Sequence, residues 1–198
     1  ASDVYKRQDC MTVTDVNVVK SAIFERPDDA NKGTLGSLLC VCGSYGMAGA
    51  AVMSAKGALR TGIGLAKCAL PRSIYPIVAQ TILESVYYPL SENADGRISK
   101  VNVPFLVSES CKSSATLVGC GLGVCDDTLK IVFSLIENST TPLVLDADAL
   151  NCVAKQPEIL LRKKAPIIIT PHPGEMSRLT GLATPLVNAE RERVALDF

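Results

Sequence analysis

Short, almost wholly apolar segments recur along this chain, and each is followed by a glycine-rich or polar turn and then by an amphipathic stretch. Segments of this length are too short for helices of their own and are typical of buried strands. Strand–turn–helix units at this spacing indicate parallel strands with helices on both faces of the sheet. We predict strands at residues 38–42, 65–70, 86–90, 115–119, 142–146 and 166–170. The sequence therefore predicts a single α/β domain with a mostly parallel sheet.

Amphipathic stretches between these segments predict the helices. They cover residues 50–61, 71–79, 126–137 and 147–154, a short helix follows Glu175 and ends at Leu179, and a last helix runs from Thr184 to the end of the chain. We expect Asp126 or Asp127 to cap the third of them, and Thr184 to cap the last, because short polar side chains favour the N-cap position. Residues 97–113 give no clear pattern.

Composition narrows the class of protein. The 198 residues carry 20 Lys and Arg against 20 Asp and Glu, and 47% are hydrophobic. A disordered chain needs low hydrophobicity and high net charge, and a nucleic-acid-binding domain is usually basic, so both are disfavoured. No apolar run reaches the length of a membrane span. Residues 1–10 lack the apolar core of an export signal, which predicts a cytoplasmic protein.

Eight cysteines invite a disulfide or metal interpretation, but their context favours neither. No C-x-x-C occurs, and His172 is the only histidine. Without an export signal, we expect buried free thiols and no metal site.

Unusual residues follow four of the predicted strands, at residues 43–49, 119–123, 146–151 and 170–175. In open α/β sheets, ligands bind beyond the carboxyl ends of the strands. We therefore expect these four segments to meet at one edge and to form a small-molecule site.

Two of these segments are rich in glycine. Residues 43–49 lead into a helix N-terminus, where backbone N–H groups can hold an anion, although a tight turn that packs closely needs glycine equally. Residues 119–123 read G-x-G-x-G, with Asp146 at the end of the next strand, which resembles a dinucleotide fingerprint. Val124 stands where that fingerprint has Gly or Ala, so a purely structural turn is the alternative.

The other two segments carry carboxylates and the histidine. Asp146 and Asp148 are suited to holding a ribose, a hydroxyl group or a hydrated Mg²⁺, while Asp148 is also placed to cap its helix. His172 lies in a loop between two prolines, which favours a role in hydrogen bonding or orienting a ligand over a purely structural one.

Four runs in this order resemble one family. They are NKGTLGSLLCVCGSYGMAGAAVMSAKGALRTGIGL, VGCGLG, VLDADALN and TPHPGEMSRL. Together they resemble the ADP/ATP-dependent NAD(P)H-hydrate dehydratases of the ribokinase-like superfamily, over residues 31–198. The resemblance implies a three-layer α/β/α fold. It also implies a repair lyase that phosphorylates the S form of hydrated NADH or NADPH with ADP or ATP, with Mg²⁺, and then eliminates phosphate.

The resemblance also assigns residues to roles. It implies substrate contacts at Ala50, Gly121 and His172 and a pocket wall at residues 172–178, which begins with His172, Pro173, Gly174 and Glu175, with Asp146 and Asp148 as pocket carboxylates. It places Lys32 and Gly33 on the phosphate side.

Two motifs of the family are missing from residues 1–198, a K-G-x-x-T segment and a G-x-G-D segment that carries the expected catalytic Asp. We therefore expect a C-terminally truncated chain without its catalytic residue, inactive alone, whose fold is incomplete at that end. The resemblance further implies a homo-oligomer. Residues 1–30 are expected to be a flank, or the tail of an upstream segment such as a fused epimerase domain. The alternatives are another ribokinase-like small-molecule kinase, an NAD-binding oxidoreductase and a non-catalytic dinucleotide-binding remnant.

Overall fold

Six parallel strands form one sheet in the order β3-β2-β1-β4-β5-β6 in a computed structural model that describes residues 15–22 and 33–198. The strands are β1 (Ser37–Val41), β2 (Leu65–Pro71), β3 (Val86–Leu90), β4 (Ala115–Val118), β5 (Leu143–Leu145) and β6 (Ile167–Ile169). All six predicted strands are present, and every adjacent pair is parallel as predicted.

Helices connect the strands and cover the sheet. They are α1 (Val16–Ala22), α2 (Ala48–Arg60), α3 (Tyr75–Thr81), α4 (Val103–Cys111), α5 (Asp126–Asn138), α6 (Asp148–Val153), α7 (Pro173–Thr180), α8 (Thr184–Ala189) and α9 (Arg191–Asp197). None of the helices within the described ranges is long and apolar enough to cross a membrane.

Side chains alternate between the two faces of the sheet, as the strand period of two requires. Leu39 and Val41 of β1 belong to one apolar cluster with α4, α5 and α6, whereas Cys40 and Cys42 belong to another with α2 and α3. Both faces are therefore buried under helices, and the predicted three-layer α/β/α architecture is confirmed.

The N-terminus of helix α5 departs from the sequence prediction. Helix α5 begins at Asp126 itself, so its N-cap is Cys125, whose backbone N–H donates to Thr128 Oγ1 at 2.9 Å. The carboxylate of Asp127 instead accepts hydrogen bonds from Lys100 and Asn93. The predicted aspartate cap was therefore wrong, because the loop before α4 competes for that carboxylate.

The predicted final helix is two helices. Glu190 has a non-helical backbone (φ −130°, ψ 41°), which separates α8 from α9. Thr184 is the first residue of α8 and does not cap it, since Ala183 holds the N-cap position without a side-chain hydrogen bond. No glycine or proline marks the break at Glu190, so the sequence pattern ran through it.

Candidate active site

The sheet reverses its winding between β1 and β4, since β2 and β3 lie on one side of this pair and β5 and β6 on the other. Such a topological switch point opens a crevice at the carboxyl ends of the two strands, where α/β proteins bind ligands. Residues 43–49 follow β1 and residues 119–123 follow β4, so the two glycine-rich segments border this crevice. The segments after β5 and β6 adjoin it along the same edge.

The two glycine-rich turns are bonded to each other. The backbone N–H of Gly43 donates to the carbonyl oxygen of Cys120 at 2.9 Å. The buried hydroxyl of Ser44 donates to the carbonyl oxygen of Gly121 at 2.8 Å. These bonds fix the floor of the crevice before any ligand enters.

Gly121 and Ala50, both predicted to contact the substrate, lie against each other. Gly121 has φ +65°, and a Cβ built on it would lie 2.7 Å from Ala50 Cβ. A side chain at Gly121 would therefore clash with α2, in addition to adopting an unfavourable backbone conformation. This close approach gives Gly121 a structural reason to be glycine, independent of any ligand.

Asp146 joins three strand ends. One carboxylate oxygen, Oδ1, accepts the hydroxyl proton of Thr170 at 2.7 Å, and the other, Oδ2, accepts from the Cys120 thiol at 3.2 Å. These contacts link the segments that follow β4, β5 and β6. The half-buried Asp146 carboxylate is thus held in a fixed position at the centre of the edge.

Asp148 binds the neighbouring loop and does not cap its helix. Its Oδ2 accepts the backbone N–H of Gly123 at 2.8 Å, and its Oδ1 accepts from Asn151 Nδ2 at 3.3 Å. The N-cap of α6 is Ala147, without a side-chain bond, so the predicted capping role of Asp148 was wrong. Ala147 has φ +49°, the single positive φ recorded for a non-glycine residue in the described ranges. Backbone strain of this kind costs on the order of 1–3 kcal/mol and concentrates at functional sites.

His172 is the N-cap of α7. Its Nδ1 accepts the backbone N–H groups of Gly174 and Glu175 at 3.0 and 3.4 Å, and its Nε2 lies 3.2 Å from Glu175 Oε1. In return, Glu175 Oε2 accepts the His172 backbone N–H at 2.9 Å. Because Nδ1 is an acceptor, we infer that the ring carries its proton on Nε2 and donates it to Glu175. The imidazole is 63% exposed, although both of its nitrogens are engaged within the protein.

The thiols near this edge are not all buried, contrary to the sequence prediction. Cys40, Cys42, Cys68 and Cys152 are buried, Cys120 and Cys125 are half-buried, and Cys111 is exposed at the end of α4. Cys10 lies outside the described residues. A hydrogen bond from the Cys42 thiol lowers the pKa of Cys120, against the opposing effects of burial and of Asp146. The same bond, together with burial, raises the pKa of Cys42.

Metal coordination by side chains is not supported at this edge. No group of three or more His, Cys, Asp or Glu side chains able to hold a metal ion occurs in the part of the chain that the structure describes. All four carboxylate oxygens of Asp146 and Asp148 accept hydrogen bonds within the protein. These bonds hold both carboxylates in place, and Mg²⁺ in nucleotide sites is commonly bound by one or two carboxylates together with substrate phosphates.

The structure does not bring every predicted residue to the crevice. Gly33 lies in an exposed turn that leads into the amino end of β1, at the opposite edge of the sheet. Lys32 lies outside the described residues. The predicted role of both on the phosphate side stays a prediction.

Sequence reasoning missed the loop that closes one side of the crevice. Tyr45 donates its backbone N–H to Gly96 O at 2.9 Å, and a Cβ on Gly123 would collide with the side chain of Arg97. The bridge between Glu92 and Ile98 shapes this loop. Its contacts with Tyr45 and Gly123 join residues far apart in the sequence, so no local pattern predicts them.

Comparison with known proteins decides the family. The sequence model of the NAD(P)H-hydrate dehydratase family matches residues 38–197. The chain belongs to the NAD(P)H-hydrate dehydratase family. The match includes both glycine-rich turns, the aspartate pair and the His172 segment.

Curated and solved relatives agree with this membership. The chain is 37% identical over 173 residues to a bifunctional NAD(P)H-hydrate repair enzyme of Thermofilum pendens, covering 87% of this chain and 33% of the relative. It is 32% identical over 169 residues to an ADP-dependent (S)-NAD(P)H-hydrate dehydratase of Neisseria meningitidis, covering 84% of this chain and 53% of that protein.

The fold is that of a solved family member, an ADP/ATP-dependent NAD(P)H-hydrate dehydratase of Bacillus subtilis co-crystallised with ATP and Mg²⁺. The TM-score is 0.71 at 27% identity, over 90% of this chain and 59% of the solved one. The predicted ribokinase-like fold class is thereby confirmed. The chain spans between a third and three-fifths of the length of these NAD(P)H-hydrate dehydratase relatives.

Proposed function

We propose that this chain carries the dinucleotide-binding side of an NAD(P)H-hydrate dehydratase, a hydro-lyase that restores NADH or NADPH from its S hydrate. One observation carries the proposal. The crevice at the switch point between β1 and β4 is lined by the pair Ala50 and Gly121, and the residues that border it belong to the segment matched by the family model. Of the predicted substrate contacts, Ala50 and Gly121 lie at the floor of the crevice. Residues 172–175 lie farther along the same edge of the sheet.

Hydrogen bonds hold the side chains of this edge in fixed positions. Such an edge is suited to orienting a bound ligand. The carboxylate of Asp146 is bonded to Thr170, and the His172 ring is bonded to Glu175. Each of these side chains is held in place by hydrogen bonds within the protein. We assign them the work of shaping and orienting the hydrated nicotinamide, and we expect the base outside the described residues.

The phosphoryl donor is proposed to be ADP or ATP with Mg²⁺. Transfer of a phosphoryl group to the hydroxyl of the hydrated ring turns a poor leaving group into a good one, and catalysis of such a transfer is mainly positioning and charge stabilisation. The names of the relatives from Neisseria meningitidis and Bacillus subtilis support the donor. Because the carboxylates here are internally bonded, the metal is expected to be held by donor phosphates.

The relatives and the cysteines support two further proposals, on the domains of the complete protein and on its location in the cell. The bifunctional relatives support a second catalytic domain, such as an epimerase, in the complete protein. The seven described cysteines are free, which supports a cytoplasmic location. A homo-oligomer stays a prediction.

Thermal-shift titration with NADPH, AMP and ADP tests the proposal. A ligand that binds only the native state stabilises that state by an amount that grows with the logarithm of its concentration above the dissociation constant, and so raises the melting temperature. We expect NADPH to stabilise the chain and ADP to do so weakly or not at all. A chain stabilised by neither NADH nor NADPH would contradict the proposal.

A further inference from the structure

A basic surface cavity lies beside the crevice, between α6 and α7. Its volume is about 500 Å³, and its lining residues are Val124, Asn151, Ala154, Lys155 and Arg178. Arg178 is the last residue of the pocket wall at residues 172–178 that the family resemblance implies, and the other four lining residues lie outside the predicted substrate contacts. The cavity therefore extends that wall.

Two cations face a cavity that has no acidic lining. Lys155 and Arg178 are exposed, and neither forms an ion pair with a carboxylate among the described residues. Arg178 uses Nη1 to donate to Asn151 Oδ1 at 2.9 Å. The guanidinium carries five N–H donors, so this bond orients it and leaves donors for an anion.

Hydrogen bonds connect this cavity to the glycine-rich loop of the crevice. Asn151, which accepts from Arg178, donates through Nδ2 to Asp148 Oδ1 at 3.3 Å, and Asp148 Oδ2 holds the Gly123 N–H. Val124, the next residue, lines the cavity. A ligand that lies across the G-x-G-x-G loop thus passes from the crevice directly to the two cations.

We propose that Lys155 and Arg178 form a phosphate subsite for the dinucleotide, an inference that rests on the proposed function. Planar guanidinium groups bind phosphate through two parallel hydrogen bonds, and an ammonium group adds a mobile positive charge. The lining contains no aromatic ring, so the cavity offers charge and not base stacking. NADPH carries phosphate in two places, the pyrophosphate that it shares with NADH and a 2′-phosphate that NADH lacks.

Calorimetric titration of the whole chain tests this subsite. The variant is Lys155→Gln with Arg178→Gln, and the matched control is Arg60→Gln with Lys130→Gln, which removes two exposed cations from α2 and α5. We expect the double variant to weaken NADPH binding by about ten-fold or more, the usual effect of losing a charge-assisted bond. The control should bind as the wild type does, and the dependence of affinity on salt should be smaller in the variant only.

Comparison of NADPH with NADH identifies the phosphate. Weakening of NADPH alone assigns the subsite to the 2′-phosphate, and equal weakening of both assigns it to the pyrophosphate. Unchanged affinity for both ligands, in a variant of wild-type melting temperature, overturns the subsite while leaving the proposed function intact. A wild-type chain that binds neither ligand overturns the proposed function and the subsite with it. If the double variant does not fold, Lys155→Gln alone gives the same test, since the structure records no hydrogen bond or ion pair for the side chain of this exposed lysine.

Discussion

The Asp148 carboxylate holds the backbone N–H of Gly123 at 2.8 Å, across 25 positions of sequence. This bond joins the acid after β5 to the last glycine of the loop after β4. It explains why the aspartate pair and the G-x-G-x-G loop occur together, since the second aspartate sets the position of that loop. Asp146, two positions earlier after the same strand, joins the segment after β6 through its bond with Thr170.

Loss of the Asp148 carboxylate should destabilise the crevice. Asp148→Ala leaves the Gly123 N–H without its acceptor, and an unpaired buried donor costs about 1–3 kcal/mol. We expect that loss in the free energy of urea unfolding, and a smaller loss in Asp148→Asn, which retains one oxygen. Glu84→Ala, at an exposed turn, is the control. An Asp148→Ala protein as stable as this control would contradict the role given to the bond.

The contact between Gly121 and Ala50 predicts that a second substitution, at Ala50, partly restores the stability lost when Gly121 is replaced. Gly121→Ala should lower stability by more than Gly46→Ala, because both glycines have positive φ but only Gly121 would clash with a neighbour. The left-handed backbone conformation alone costs a residue with a Cβ roughly 1–2 kcal/mol of stability. Adding Ala50→Gly should recover part of the excess loss in Gly121→Ala, as a double-mutant cycle on thermal unfolding would show. Strict additivity of the two changes would argue against the packing contact.

Substitution of His172 separates capping from ligand contact. His172→Ala removes the acceptor for the first N–H groups of α7, which should cost on the order of 1 kcal/mol. His172→Asn supplies an oxygen at the cap and should retain most of that stability. We expect both variants to bind NADPH more weakly in calorimetric titration. Wild-type affinity in His172→Asn would reduce His172 to a helix cap.

Thiol reactivity should follow exposure and pKa. Burial raises the pKa of Cys68 and of Cys152 to about 11, so neither forms much thiolate in a neutral or mildly alkaline buffer. Among the seven cysteines that the structure describes, Cys111 is the exposed one and should be alkylated first in the folded protein. Peptide mapping after brief iodoacetamide treatment checks the order. Early modification of Cys68 or Cys152 would contradict the structure at the sheet.

Local patterns predicted the strands because these segments are buried on both faces. Strand β3 was predicted at its observed bounds, and the others differ by one residue at one or both ends. The same patterns could not predict the N-cap of α5, because a loop thirty residues away takes the Asp127 carboxylate. The break at Glu190 likewise carries no local signal.

The sequence predicted that four segments meet at one edge of the sheet, and the structure brings them there, but the bonds between them were not predicted. The rule that ligands bind at the carboxyl ends of parallel strands singled out that edge as the candidate site without any knowledge of side-chain contacts. The bond from Asp148 to Gly123 and the positive φ of Ala147 depend on how two loops meet in space. A helix-cap interpretation of Asp148 was reasonable from its position in sequence, and only the neighbouring loop excludes it.

Hydrogen-exchange mass spectrometry of the chain with and without NADPH tests the central claim most directly, because it locates binding without altering a residue. We expect NADPH to slow exchange in the peptides that border the crevice, which cover residues 43–50, 119–124 and 170–175. Peptides from α3 and β3, remote from the switch point, should exchange at unchanged rates. No protection at saturating NADPH, or protection confined to other parts of the chain, would contradict the claim that this edge binds the dinucleotide.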